Sequence, residues 1–74
     1  VDAIRWYERS LRLYRAINDP YLVADTLSHI GEAQDALGDK EAAVTAWREA
    51  LEILDELGHP DAEQVRAQLK GAVS

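Results

Sequence analysis

The fold is decided by residues 24–57, which read ADTLSHIGEAQDALGDKEAAVTAWREALEILDEL. On both sides of Gly38-Asp39, apolar residues recur at three- and four-residue spacing, which is the pattern of an amphipathic helix. Glycine is common just past the end of a helix, and aspartate often caps the start of one. The segment therefore predicts two helices joined by a tight turn.

The spacing of small and large side chains in this segment resembles the tetratricopeptide repeat. The matching positions are Leu27, Ile30, Gly31, Gly38, Ala43, Trp47 and Ala50. The sequence departs from the family pattern at Leu27, where the family often has tryptophan, and at Gln34, where it often has an aromatic residue. The resemblance implies an all-α fold in which antiparallel helix pairs stack into a solenoid.

Four helices are predicted for the whole chain, over about residues 2–17, 20–37, 40–57 and 60–72. Asp19 and Asp39 are predicted to cap the second and third helices, and His59 lies at the junction before the fourth. Gly31 lies inside the second helix, where glycine costs about 1 kcal/mol relative to alanine. We therefore expect another helix to approach closely at Gly31.

The chain repeats itself at an offset of forty residues. Tyr7 falls on Trp47, Leu11 on Leu51 and Tyr14 on Leu54, while Pro20 falls on Pro60 and Gly31 on Gly71. This offset predicts a single domain, residues 1–74, built from parts of three repeats. Residues 1–19 hold the second helix of one repeat, residues 20–59 a complete repeat, and residues 60–74 a capping helix.

The same offset inverts charge. Glu8 falls on Arg48, whereas three arginines of the first helix fall on acids of the third: Arg9 on Glu49, Arg12 on Glu52 and Arg15 on Asp55. Stacked equivalent helices would then present opposite charges to each other. Because exposed ion pairs contribute only about 0–1 kcal/mol each, we expect this pattern to influence register more than stability.

Composition excludes several classes of protein. There is no cysteine, so neither disulfides nor thiolate metal sites are available, which favours a cytoplasmic location. No apolar run reaches the roughly 20 residues that cross a bilayer, so no membrane association is predicted. Residues 20–74 carry four bases and eleven acids, a net charge of −7, which argues against direct nucleic-acid binding and favours basic partners.

No catalytic, cofactor or metal site is predicted. His29 has Asp25 and Glu32 on its own helix face, at spacings of four and three residues, but the neighbouring hydroxyls of Thr26 and Ser28 point elsewhere. The same three residues form the best candidate for metal ligands, with no ligand motif on another helix to accompany them. Glycines are isolated, so no phosphate-binding loop is present either.

Two interaction surfaces are predicted. The tetratricopeptide pattern implies a partner groove, lined by Asp25, Ser28, Glu32, Asp35, Val65 and Gln68. This groove is acidic and is expected to bind a protein or a basic peptide. The second surface lies on the first helix, which carries more apolar residues than one neighbour can cover: Ile4, Trp6, Tyr7, Leu11 and Tyr14. Because unpaired apolar patches mark association surfaces, we expect self-association through this helix, most simply as a two-fold homodimer.

A more specific resemblance rests on the run from Leu57 to Ala62, the following Val65-Arg66-Ala67-x-Leu69, and the segment from Ala46 to Leu51. These residues look like the last repeats of large bacterial regulators, namely antibiotic-regulatory-type transcription factors and related signalling ATPases. The resemblance implies a protein-interaction module, the sensing or oligomerising C-terminal part of such a regulator. The alternative is a purely structural segment that caps a longer array and has no partner of its own.

Overall fold

A computed structural model describes residues 2–73, with side chains for residues 3–72. It contains four helices: α1 (Asp2–Ala16), α2 (Pro20–Ala36), α3 (Lys40–Leu57) and α4 (Asp61–Val73). No strand is found among these residues. The predicted all-α fold is confirmed, and each predicted helix end lies within one residue of the observed one.

Side chains placed at the turns begin the helices. Asp19 and Asp39 accept hydrogen bonds from the backbone N–H groups of Leu22 (3.2 Å) and Ala42 (3.1 Å), as predicted for N-caps. The α4 helix begins at Asp61 because the His59 ring Nδ1 accepts the Asp61 N–H at 3.1 Å. These contacts satisfy donors that the first turn of a helix leaves unpaired, so α2, α3 and α4 each have their own start signal.

Consecutive helices pack against each other, and the contact between α2 and α3 is the most extensive. Since each connection is only three residues long, neighbouring helices run in opposite directions. The molecule is a slab of about 34 × 30 × 13 Å. Its core is shared by α2, α3 and α4: Val23, Ala24, Leu27, Ala43, Trp47, Ala50, Leu54, Ala62 and Val65.

The close approach predicted at Gly31 is made by Trp47 of α3. A Cβ atom at Gly31 would overlap the Trp47 indole. The indole Nε1–H donates to the backbone carbonyl of Ser28 at 3.2 Å. Glycine is therefore required here because a tryptophan ring, and not a solvent layer, lies directly on the α2 backbone.

Candidate protein-interaction surfaces

Four predicted partner-groove residues form one stripe along α2. Asp25, Ser28, Glu32 and Asp35 are three or four residues apart, so their side chains lie on the same side of the helix. Asp25 and Ser28 are half-buried, whereas Glu32 and Asp35 are exposed. The structure divides this stripe between two clefts.

The first cleft, which we call the α2–α4 cleft, contains Asp25 and Ser28 with Asp61 and Gln64 of α4 on the opposite side. At its end the Tyr21 hydroxyl donates to the Asp61 carboxylate at 3.1 Å. This hydrogen bond and the negative charge of Asp61 raise the pKa of Tyr21 above its ordinary value. The Tyr21 ring also lies against His59, with ring centroids 4.7 Å apart, so this end of the cleft is closed by packed side chains.

Two of the three candidate metal ligands on α2, Asp25 and His29, contact each other. His29 Nδ1 donates to the backbone carbonyl of Asp25 at 2.8 Å and lies 3.9 Å from its carboxylate. The His29 ring also lies 5.4 Å from the ring of Tyr7 on α1, measured between centroids. Within residues 2–73, no group of three histidine or acidic side chains is arranged to hold a metal ion.

The second cleft, which we call the Gln68 cleft, has a volume of about 310 Å³ and contains Glu32, Asp35 and Gln68. Asp35 lies 3.6 Å from the Lys40 ammonium, while Glu32 forms no ion pair with the described side chains. Gln68 Oε1 is buried and has no hydrogen-bond partner among the described residues. The cleft therefore presents two carboxylates and one ammonium group, that of Lys40, and its unpaired carboxylate, Glu32, suits a cationic N–H group.

Val65 lies at the wall of the α2–α4 cleft with Asp25 and Ser28, but it offers a ligand little surface. Its side chain is 3% exposed and belongs to the core with Ala24 and Leu54. The forty-residue offset places Val65 on Asp25, which lines the same cleft but is half-buried. The apolar side chain was the signal in the sequence, since a lone valine between charged residues is more often a core anchor than a contact for a basic ligand.

The apolar surface of α1 differs in composition from the predicted patch. Trp6 is 65% exposed, as an association surface requires, but Leu11 and Tyr14 pack against the core, and Ile4 and Tyr7 are half-buried. Two residues outside the predicted set complete the exposed surface. These are Leu13 and Ile17, at 60% and 59% exposure.

One ion pair joins α1 and α3, but it does not join two positions that the forty-residue offset pairs. The Arg15 guanidinium donates to the Glu49 carboxylate at 2.7 Å, with both side chains about half exposed. Arg9 and Arg12 form no ion pair with the described side chains. On α3, Asp55 instead binds Arg66 of α4 at 2.9 Å.

Two further grooves lie at opposite ends of the slab. The N-terminal groove, between α1 and α2, has a volume of about 130 Å³ and is lined by Trp6, Tyr7, Ser10, Tyr14, Leu22 and Thr26, among others. The C-terminal groove, between α3 and α4, has a volume of about 500 Å³. It is lined by Arg48, Glu63, Arg66, Ala67, Leu69 and Lys70.

Sequence reasoning missed Tyr21, Asp61 and Gln64 as neighbours of the predicted groove. A signal for the first two was present, because Tyr21 and Asp61 are separated by the same forty residues that relate the helices. Equivalent positions on stacked helices lie side by side, so a tyrosine falling on an aspartate predicts a hydrogen bond between α2 and α4.

Comparison with known proteins identifies the fold. The tetratricopeptide repeat profile matches residues 1–56. The chain belongs to the tetratricopeptide repeat family. The regulatory protein AfsR of Streptomyces griseus is 38% identical over 65 residues, which cover 88% of this chain.

The aligned segment makes up only 7% of the length of AfsR. No solved structure matches the chain at a significant level. Within residues 2–73, every helix is too short or too polar to cross a membrane.

Proposed function

We propose that this tetratricopeptide repeat domain is a protein-interaction module, the sensing or oligomerising C-terminal part of a bacterial regulator, and that its partner is a basic protein segment. The family and the similarity to a protein named as regulatory support this role. Neither catalysis nor direct nucleic-acid binding is part of the proposal. The cytoplasmic location predicted from the sequence remains part of it.

The observation that carries the proposal is the chemistry of the Gln68 cleft. Glu32 and Asp35 line this cleft with two negative charges, against one positive charge from Lys40, so the net charge of the cleft is negative. Glu32 forms no ion pair with the described side chains, so a lysine or arginine side chain that binds it displaces no other cation. Asp25 extends the same acidic stripe into the α2–α4 cleft and gives an extended basic peptide a second contact.

The test uses a synthetic peptide of alternating lysine and alanine, with a glutamate–alanine peptide as the reference. We expect the 74-residue chain to bind the basic peptide in isothermal titration calorimetry, with affinity that falls as salt is added. Replacing Asp25, Glu32 and Asp35 together by Asn, Gln and Asn is expected to weaken binding by about tenfold or more, equivalent to about 1.4 kcal/mol.

A matched control removes the same amount of charge elsewhere. Replacing Glu41, Glu52 and Glu56, all exposed on α3, by glutamine changes net charge by the same three units. This control is expected to weaken binding by less than threefold or so, because these acids are on another helix and only long-range attraction is lost. Equal losses in the two variants would show that the peptide senses net charge and not the groove.

We also propose that the chain self-associates through its exposed α1 surface. Trp6, Leu13 and Ile17 support this, because three large apolar side chains lie more than half in solvent on one helix. The proposal includes the repeat boundaries predicted above, in which α1 is the second helix of a repeat. Residues 1 and 74, the limits of the predicted domain, lie outside the described residues.

A structural capping role is the second candidate, and the outward side of α4 favours it. Its residues at the positions where α2 is buried are exposed, and most are polar: Glu63, Gln64, Arg66, Ala67, Lys70 and Gly71. A polar outer face is what the terminal repeat of a solenoid needs. A capping segment without a partner would show no heat of binding with either peptide and would leave the acidic triple variant indistinguishable from the parent chain.

A further inference from the structure

The two end grooves are related by the same forty-residue offset as the helices that line them. In α3, whose most extensive contact is with α2, five residues are buried: Ala43, Ala46, Trp47, Ala50 and Leu54. Their equivalents in α1 are Ala3, Trp6, Tyr7, Ser10 and Tyr14, and the last four of these line the N-terminal groove. The N-terminal groove therefore lies against the side of α1 that is equivalent to the side of α3 on which α2 packs.

The C-terminal groove shows the reverse relation. Four of its lining residues are equivalents of buried α2 residues: Glu63 of Val23, Arg66 of Thr26, Ala67 of Leu27 and Lys70 of Ile30. In α2 these positions are covered mainly by α3. This groove therefore occupies the place on α4 that α3 occupies on α2. One end has room for a first helix of a repeat, and the other end has room for a second.

We propose that two copies of this chain join head to tail, with α4 of one copy in the N-terminal groove of the next and α1 of the next copy in the C-terminal groove of the first. Each helix then fills the groove that the other helix lines, and the pair completes one repeat across the junction. This arrangement rests on the self-association proposed above and specifies its geometry. It replaces the two-fold contact, in which α1 meets α1.

Charge at the junction supports this arrangement over a two-fold contact. Arg15 of α1 and Glu49 of α3 form the ion pair between equivalent helices within one chain. Shifted by forty residues, this pair becomes Asp55 of one copy and Arg9 of the next, which again have opposite charges, although Asp55 also binds Arg66 of its own chain. A two-fold contact between α1 helices instead brings together two copies of a helix that carries four arginines, Arg5, Arg9, Arg12 and Arg15.

The polar residues of α4 set the strength of the contact. Glu63 and Lys70 replace the valine and isoleucine that α2 buries, so the junction buries less apolar surface than the contact between α2 and α3. Association is therefore weak and requires high protein concentration. Because the contact is heterologous and leaves a free groove at each end, it does not stop at two copies.

The first experiment is sedimentation equilibrium of the 74-residue chain at concentrations from about 10 µM to about 1 mM, the range in which weak contacts are populated. We expect the weight-average mass to rise from 8.3 kDa past twice that value without a plateau. A constant monomer mass would overturn both self-association and the head-to-tail arrangement. A plateau at the dimer mass would leave self-association standing and overturn only the arrangement.

The second experiment blocks one end at a time. Trp6→Glu places a charge in the N-terminal groove, and Ala67→Glu places one in the C-terminal groove; both residues are exposed, so the fold tolerates them. Each variant alone is expected to remain monomeric. An equimolar mixture is expected to form complexes of two chains and no larger, because each variant retains the end that the other has lost.

Ala36→Glu is the matched control, since it introduces the same charge at an exposed position at the end of α2, outside both grooves. It is expected to associate as the parent chain does. Circular dichroism at 222 nm confirms that all three variants are folded before their masses are compared. If Ala67→Glu still dimerises on its own while Trp6→Glu does not, the contact is a two-fold one through α1 and the head-to-tail arrangement is wrong.

Discussion

The outer helices α1 and α4 are sequence copies of the inner helices α3 and α2, yet they have changed in opposite ways. At the positions that α3 buries, α1 keeps large apolar or aromatic residues such as Trp6 and Tyr14, and they are partly or fully exposed. At the positions that α2 buries, α4 carries Glu63, Arg66 and Lys70. At these positions α1 has kept residues typical of a protein core, whereas α4 carries charged residues typical of a protein surface.

This difference shows that the repeat pattern determines where a side chain lies, while the neighbouring helix determines whether it is buried. Trp6 and Ala46 are equivalent positions, but Ala46 is 7% exposed and Trp6 is 65% exposed. The polar side of α4 is soluble without a neighbour. The aromatic side of α1 gains most from acquiring one, because about 25 cal/mol is gained for each Å² of apolar surface removed from water.

The largest effect is expected at the two tryptophans. Trp47→Ala removes a side chain that is 4% exposed and packs on Gly31, so we expect it to lower the free energy of unfolding by about 3–5 kcal/mol. Trp6→Ala is expected to change it by less than about 0.5 kcal/mol, since an exposed side chain has little native packing to lose. Urea denaturation monitored by circular dichroism at low protein concentration measures both.

A loss of 3–5 kcal/mol is a large part of the total stability of a small domain, so Trp47→Ala risks unfolding the chain outright. Trp47→Phe retains an aromatic ring and is the milder variant for a complete titration. A similar loss at Trp6 and Trp47 would mean that α1 is as well covered as α3, and the comparison between outer and inner helices would be lost.

Smaller effects are expected at the two equivalent glycines, Gly31 of α2 and Gly71 of α4, and the two effects should differ in sign. Gly31→Ala places a methyl group in the space of the Trp47 ring, and such overpacking costs about 1–3 kcal/mol, partly offset by the better helix propensity of alanine. At Gly71, the equivalent position of α4, a Cβ meets no atom within 4 Å. Gly71→Ala is therefore expected to leave the thermal midpoint unchanged or to raise it. Destabilisation by both variants would argue that α4 is covered as α2 is.

The smallest effect is expected for the ion pair between α1 and α3. Both side chains of Arg15–Glu49 are about half exposed, so a double-mutant cycle with Arg15→Ala and Glu49→Ala should give a coupling energy of about 0.2–1 kcal/mol. The coupling should decrease when salt is raised, because exposed charges are screened. Arg12→Ala serves as the control, since Arg12 has no ion pair among the described side chains; a coupling with Glu49 as large as that of Arg15 would contradict the geometry.

Much of the fold could be predicted because its signals are local. Asp19 and Asp39 cap the helices that they precede, and the close approach at Gly31 was predictable because a glycine inside a helix is costly without a reason. Helix ends depend on such short-range chemistry. The division into repeats and the partner role cannot be tested by such local signals, because they depend on contacts with other helices or other molecules.

The surfaces were harder to predict because burial is a property of neighbours. Val65 and Asp25 are equivalent in sequence, but only Val65 is buried. The same reasoning explains Leu13, an apolar residue of α1 that the structure leaves 60% exposed. The Gln68 cleft depends on three helices meeting, since its residues come from α2, α3 and α4. The pattern of a single helix can identify Gln68 as a candidate groove residue, but it cannot show that the side-chain oxygen of Gln68 lacks a hydrogen-bond donor.

The two indoles of this chain lie in contrasting surroundings, one under the backbone of α2 and the other in solvent at the edge of α1. Their fluorescence should therefore report separate events. Emission from Trp47 should shift to longer wavelength only when the chain unfolds, whereas emission from Trp6 should shift to shorter wavelength when another molecule covers that edge. A chain with Trp6 replaced by phenylalanine would then follow folding alone, and a chain with Trp47 replaced by phenylalanine would follow assembly alone.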